Sequence, residues 1–267
     1  MTGEPFARRR LFDLEFIDAP SVEPIARALL TAADESVTAS ENDSVAVLVT
    51  PNVDQLVHVE RNSDPTASRT VLRARYVLPD GQPVVWASRL LGRPLSSRLA
   101  GSSLVSEMWP HLVAGVDDVL VVAGSAAIAE RIEAEGPHIH AIVAPQLSLD
   151  DPAAFASFVD QCAEIVRREG CRHVFVGLGF PKRENVVAGL VEADDLPVPA
   201  PIVYAIGAAF EMHYGLVRRA PEWMQRSGLE WFFRFVQEPR RLFRRYFVDD
   251  PVFVRLVWRE WRDQRRS

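Results

Sequence analysis

Apolar residues in this chain fall into short unbroken blocks, separated by stretches in which they recur at helical spacing. Val45–Val49, Asp118–Ala123, His138–Val143, His173–Leu178 and Ile202–Ile206 are rich in β-branched and aromatic residues and lack polar alternation. That pattern predicts strands covered on both faces. Leu11–Ile17 reads as a first strand, and Arg73–Leu78 as another that ends at Pro79-Asp80-Gly81. Between them, Ser21–Ala33 places Val22, Ile25, Ala26 and Leu29 on one helical face. Further helices are predicted from about Val53, over Pro83–Leu91, Leu104–Val113 and Ala153–Arg168, from Gly124-Ser125 to Glu135, and over Glu184–Ala193. Glu35–Ser44 is a polar loop. Strands alternating with helices predict a Rossmann-like α/β fold, with a mainly parallel sheet covered by helices on both faces.

In such sheets ligands sit outside the C-terminal ends of the strands. The polar residues just past those ends are Thr50, Asn52, Asp80, Gly124, Ser125, Lys182 and Glu211, far apart in sequence and expected to converge. The stretch His173–Glu184 is the centre of this pattern: a buried strand, then Gly177 and Gly179, then Pro181 in the first turn of a helix. Glycines let backbone N–H groups approach a ligand, and a helix N-terminus attracts anions. The same features also describe an ordinary strand–loop–helix connection. Of the 30 basic residues, Lys182 is the one lysine, leaving 29 arginines. Asp80, after a strand and before a glycine, suits either a general base or a turn aspartate that caps the next helix.

Beyond residue 217 the character changes. Residues 1–217 carry 17 Lys+Arg and 29 Asp+Glu, a charge of −12, whereas residues 218–267 carry 13 Arg and 7 Asp+Glu, a charge of +6. This divides the chain into an acidic α/β body (1–217) and a basic helical C-terminal appendage (218–267) that faces something anionic. In the last helix, opened by Pro251, Arg255, Arg259, Arg262 and Arg266 fall within about 60° of one another at 100° per residue, opposite Phe253, Val257 and Trp261. Such a helix either packs its apolar side on the body with arginines in water, or lies on an anionic membrane surface.

Several classes are excluded. No apolar run approaches membrane-spanning length, and the N-terminal arginines are not followed by a signal-peptide apolar region. The two cysteines, Cys162 and Cys171, read as free thiols of a reducing cytoplasm. The six histidines show no metal-ligand spacing, so no metal is expected. Gly177–Lys182 lacks the spacing of a Walker A loop, and Lys182 stands where a dinucleotide fingerprint needs its third glycine. That argues against a nicotinamide-dependent oxidoreductase.

Together, several landmarks resemble those of the bacterial WecG/TagA/CpsF glycosyltransferases, glycosyltransferase family 26. They are Thr50-Pro-Asn52, Pro79-Asp-Gly81, Arg98 with Gly101, Gly177–Glu184, Gly207-Ala-Ala-Phe210, Arg219-Ala-Pro-Glu-Trp223, Gly228-Leu-Glu-Trp231, Arg234 and Glu238-Pro-Arg240. The likeness runs from about Leu11 to about Tyr246. It implies an inverting, metal-independent transfer of a sugar from a UDP-sugar to a polyprenyl-diphosphate-linked saccharide, without a cofactor and without nucleic acid. The place implied is the inner face of the cell membrane, during synthesis of exopolysaccharide, capsule or teichoic acid. By the same resemblance Asp80 is the base, and Thr50 and Asn52 line the donor-sugar pocket. Arg98 holds the diphosphate, and Gly124, Gly179, Lys182, Arg183, Glu184 and Glu211 surround the UDP. Arg234, Arg240 and Arg244 meet the acceptor or membrane. A homo-oligomer is compatible with it. Two positions depart from the family pattern: Arg183 stands for a usual glutamine and Glu211 for a usual aspartate. Arg183 could strengthen diphosphate binding or meet an acidic sugar. The two changes together are also compatible with a non-catalytic relative that binds nucleotide-sugar or a partner enzyme.

Overall fold

The computed structural model describes residues 6–35, 45–217 and 250–265, together with Pro221, Met224, Phe233 and Val236. Among these residues, eight strands form one sheet. They are β1 (Ala7–Leu11), β2 (Leu14–Asp18), β3 (Ala46–Val49), β4 (Tyr76–Val77), β5 (Val119–Ala123), β6 (Ile139–Val143), β7 (His173–Val176) and β8 (Ile202–Ala205), in the order β1-β2-β4-β3-β8-β7-β5-β6. Every pairing is parallel except β1 with β2. The architecture is the expected Rossmann-like α/β sheet.

Helices α1 (Glu23–Glu35), α5 (Gly101–Ala114), α6 (Ala126–Glu133) and α9 (Ala209–His213) supply Ile25, Leu29, Leu104, Met108, Ile128 and Phe210 to one buried face. Helices α2 (Val53–Arg61), α3 (Pro65–Arg73), α4 (Gln82–Leu90), α7 (Pro152–Glu169) and α8 (Lys182–Glu192) supply Leu56, Val71, Val84, Phe158 and Val186 to the other. Central strands therefore alternate between two dry faces. In β7, Val174 and Val176 point to one core and Phe175 to the other; in β3, Val47 and Val49 oppose Leu48. This is why these strands carry no polar alternation. Each such side chain contributes about 1.5–3 kcal/mol on burial.

Three local readings change. The segment expected as one strand from Leu11 to Ile17 is the second half of a hairpin: Phe12 and Asp13 adopt φ of 54° and 59°, the left-handed conformations of a two-residue turn that reverses β1 into β2. Its signal was weak because neither turn residue is glycine or asparagine. Helix α3 is an addition. Asp64 caps it, accepting from Ala67 N at 2.8 Å, and Pro65 opens it. Its last residue, Arg73, was expected in a strand, and β4 is reduced to Tyr76–Val77. Pro181 is the N-cap of α8 rather than part of its first turn.

The C-terminal helix, α10 (Asp250–Gln264), packs on the body. Phe253, Leu256 and Val257 are buried in the same core as α2 and α8, Trp261 packs against it, and Phe253 meets Phe12 at 5.6 Å. The apolar side of this helix is thus used for packing. Arg259 pairs with Glu60 of α2 through two contacts, one of 2.8 Å. No helix among the described residues is long and apolar enough to cross a membrane.

Candidate functional site

The parallel strands β3, β4, β5, β7 and β8 end on one edge of the sheet, and the sequence-predicted residues gather there in two groups. Thr50 directly follows β3 and is buried. Asn52 is the N-cap of α2, accepting from Gln55 N at 3.3 Å while its own N–H donates to Gln55 Oε1 at 3.1 Å, a reciprocal capping box. Asp80 follows β4 and is held beside them by backbone, since its N–H donates to Pro51 O at 3.2 Å. The residue after it, Gly81, has φ of 120°, a conformation that favours glycine, and caps α4 with no side-chain bond. Thr50, Asn52 and Asp80 line one cavity of about 120 Å³ with Gln55, Ser102 and Arg183. This space suits a sugar-sized group rather than a whole nucleotide sugar.

Close packing against glycine shapes this cavity. A β-carbon at Gly101 would lie 3.3 Å from Thr50 Oγ1, so the first residue of α5 leaves room for the hydroxyl. Arg98 is half-buried on the segment leading to that helix, and Leu99 N donates to Pro79 O at 2.8 Å. Arg98 thus sits near the Asp80 turn without lining the cavity. Gly207 has φ of +60°, and a β-carbon there would lie 2.9 Å from Arg183 Nη1.

The start of α8 divides sharply by position. Lys182 is exposed, whereas Arg183 is 5% and Glu184 0% exposed. At this depth the two groups are paired with each other. Arg183 Nε donates to Glu184 Oε1 at 3.0 Å and Nη2 donates to the same oxygen. Gln55, 2% exposed, donates to it as well, Nε2 to Oε1 at 3.0 Å. Removing one member of such a buried pair typically costs about 3–5 kcal/mol, because the other charge is stranded. Gln55 thus ties the cap of α2 to the first turn of α8. Sequence reading missed it, although an asparagine followed three residues later by glutamine is the signature of a capping box.

The second group lies past β5, β7 and β8. A β-carbon at Gly124 would be 3.5 Å from Glu211 Oε1 and 3.6 Å from Gly177 O. Burial pushes the Glu211 carboxyl above its ordinary range, and its Oε2 is buried with no hydrogen-bond partner. Gly177 packs 3.0 Å (as a β-carbon) from Val122 O and donates its N–H to that oxygen at 2.9 Å. Its role is therefore close strand packing, and its N–H is engaged. Gly179 is exposed with open space around it, and its carbonyl accepts from Arg183 N at 3.1 Å. Gly124, Gly179, Lys182 and Glu211 do not line the Asp80 cavity. Arg234, Arg240 and Arg244 lie outside the described residues.

A larger cavity, about 490 Å³, opens at the other end of β3, lined by Thr66, Arg69, Thr70, Arg73, Arg75 and Glu192 among others. It sits at the strand N-termini, where α3 and α8 present their negative C-terminal ends, so dipoles there oppose the anion its arginines would attract. The Asp80 cavity, by contrast, lies where parallel sheets place ligands.

A doubly covered, mainly parallel sheet with a carboxylate, a hydroxyl, an amide and a buried arginine around one cavity at its C-terminal edge defines a Rossmann-like protein. The chain belongs to the glycosyl transferase WecG/TagA/CpsF family, whose pattern it matches over residues 12–267. Among its relatives is a protein of Bacillus spizizenii, 26% identical over 91% of this chain and 88% of the relative. Another, from Bacillus subtilis, is 28% identical over 63% of each chain, and one from Staphylococcus aureus is 23% identical over 68% of each. All three are named N-acetylglucosaminyldiphosphoundecaprenol N-acetyl-beta-D-mannosaminyltransferase. Its family membership makes the protein a glycosyltransferase.

Proposed function

We propose that the protein inverts configuration while moving a sugar from a UDP-sugar to a polyprenyl-diphosphate-linked saccharide, working peripherally on the inner face of the membrane and without a metal. The observation that carries this reading is the convergence of Asp80, Thr50, Asn52 and Arg183 on one sugar-sized cavity. Asp80 takes the proton from the acceptor hydroxyl. The acceptor oxygen attacks the anomeric carbon from the face opposite the diphosphate, and the bond from that carbon to the phosphate oxygen breaks. UDP departs with the electron pair.

Charge developing on the leaving diphosphate needs fixed positive groups. Arg183 lines the cavity, Lys182 precedes it at the start of α8, and α8 begins with no side-chain cap, so its positive end faces this edge of the sheet. Thr50 and Asn52 hold the transferred sugar. Glu211, whose Oε2 is without a hydrogen-bond partner, meets a hydroxyl of the nucleotide.

The relatives' names make N-acetylmannosamine, presented as its UDP derivative, and N-acetylglucosaminyl-diphospho-polyprenol the first pair to test. A panel of UDP-sugars should give UDP release with one donor, and Asp80→Asn should lower turnover by about 10²-fold or more while UDP still binds. Loss of UDP binding together with turnover would make Asp80 a structural turn residue. Absence of turnover across the panel, with UDP still bound, would instead support a non-catalytic relative.

A further inference from the structure

The opposite edge of the sheet carries a second chemical cluster. Asp118 directly precedes β5, His140 lies in the edge strand β6, and Glu169 is the last residue of α7. One donor atom from each, an imidazole nitrogen and two carboxylate oxygens, all lie within 4.8 Å of one another. His140 Nε2 is already 2.7 Å from Asp118 Oδ1. All three residues are half-buried.

The backbone holds these groups in place. Parallel pairing of β5 with β6 sets Val119 against Ile139 and Leu120 against His140. Arg172 N donates to Asp118 O at 2.9 Å, tying the start of β5 to the segment that follows α7. Gly170 caps α7 with φ of 71°. Glu169 therefore sits at a helix C-terminus, where the aligned peptide dipoles add negative potential. Of the two arginines in that turn, Arg167 donates to Asp194 O at 3.1 Å, and Arg168 Nε donates to Glu169 Oε1 at 2.6 Å. A carboxylate has two oxygens, so Glu169 can keep Arg168 and still offer a ligand atom.

We propose that Asp118, His140 and Glu169 form a divalent-metal site of the zinc type, clipping β5, the edge strand β6 and the end of α7 together. The mixed nitrogen and oxygen set matches zinc or its borderline neighbours, whereas calcium and magnesium take oxygen alone. Metal–ligand distances of about 2.0–2.2 Å would draw the three donor atoms together by side-chain rotation, and water completes the tetrahedron. Binding displaces the hydrogen bond between Asp118 and His140, with the imidazole bound as its neutral form. The ligands come from positions 118, 140 and 169, so no local spacing in the sequence announces them. The site lies at the far end of the strands from Asp80 and takes no part in transfer.

The test uses the full chain, stripped with chelator and titrated with Zn²⁺ and with Co²⁺. Wild type should take up one equivalent more than His140→Ala, with a rise in melting temperature that His140→Ala lacks. Its Co²⁺ form should show tetrahedral d–d absorption that disappears in the variant. Glu169→Gln, a change at a half-exposed helix end, provides the same comparison if His140→Ala fails to fold. Equal uptake by wild type and variants, or no wild-type change in melting temperature, would overturn the proposal.

Discussion

His173 begins β7, buried completely, with Nδ1 2.8 Å from Tyr204 Oη and Nε2 without a partner. Burial, with Arg172 adding to it, pushes its pKa down from 6.5 to about 4. The unfolded chain binds a proton at this imidazole below about pH 6.5, and the folded chain refuses it until about pH 4. Stability attributable to His173 is therefore present above pH 6.5 and lost as pH falls from 6.5 to 4, by roughly 3 kcal/mol in all. Urea unfolding at pH 7.5, 5.5 and 4.5 should show this decline, and His173→Phe should flatten it; an equal slope in the variant would assign the decline to other groups. At this same scale the residues past strand ends were legible, because polar residues that interrupt buried blocks are few. Thr50, Asn52 and Asp80 were placed correctly on one edge. Gly177 was legible as a glycine with a close neighbour, but that neighbour is the Val122 carbonyl rather than a ligand.

Among the elements, the link between α2 and α8 decides how the site is held. Gln55 joins the Asn52 cap to the Arg183–Glu184 pair through hydrogen bonds of 3.0–3.3 Å. Gln55→Leu removes a donor from Glu184 and the cap partner of Asn52 while keeping most of the volume. It should cost about 1–3 kcal/mol of stability, and on the proposed function lower kcat more than it raises KM, since the donor still meets Lys182 and Arg98. Turnover equal to wild type would reduce Gln55 to a helix cap. The sequence could place both helices, but not the bond between them, since positions 55 and 184 are 129 residues apart. The hairpin of β1 and β2 and the helix α3 were misread for a different reason. Their signals, two left-handed non-glycine residues and one aspartate–proline start, are local and weak, and only pairing with β4 and packing against α8 single them out.

At the scale of the whole molecule, an acidic body meets an arginine-rich end. With Phe253, Leu256 and Val257 buried, the face of α10 that remains open carries Val254, Arg255 and Trp258, the last 58% exposed, with Arg262 stacked 5.0 Å over its ring. Nearby α4 exposes Trp86 and Leu90, and Arg93 just after it contacts Glu260 of α10 at 3.4 Å. An exposed tryptophan among arginines suits the interface of an anionic bilayer. Trp258→Ala combined with Arg255→Glu should reduce sedimentation with phosphatidylglycerol-containing liposomes several-fold, and leave the melting temperature within about 2 °C because neither side chain is in the core. Binding that is unchanged would place membrane contact elsewhere.

The sequence by itself determined the class of fold, because an unbroken β-branched block can be satisfied only between two apolar layers. Through motifs strung along the chain, it also determined the family. Only the tertiary structure decided which of those residues share a cavity. It decided that Arg183 is buried and balanced by Glu184 and Gln55, that the apolar side of α10 packs inward, and that Asp118, His140 and Glu169 converge. The physical reason is the same in each case. Periodicity reports whether a residue faces a core, a short-range property of the chain, whereas charge pairing and ligand geometry depend on distances between segments that only packing brings together.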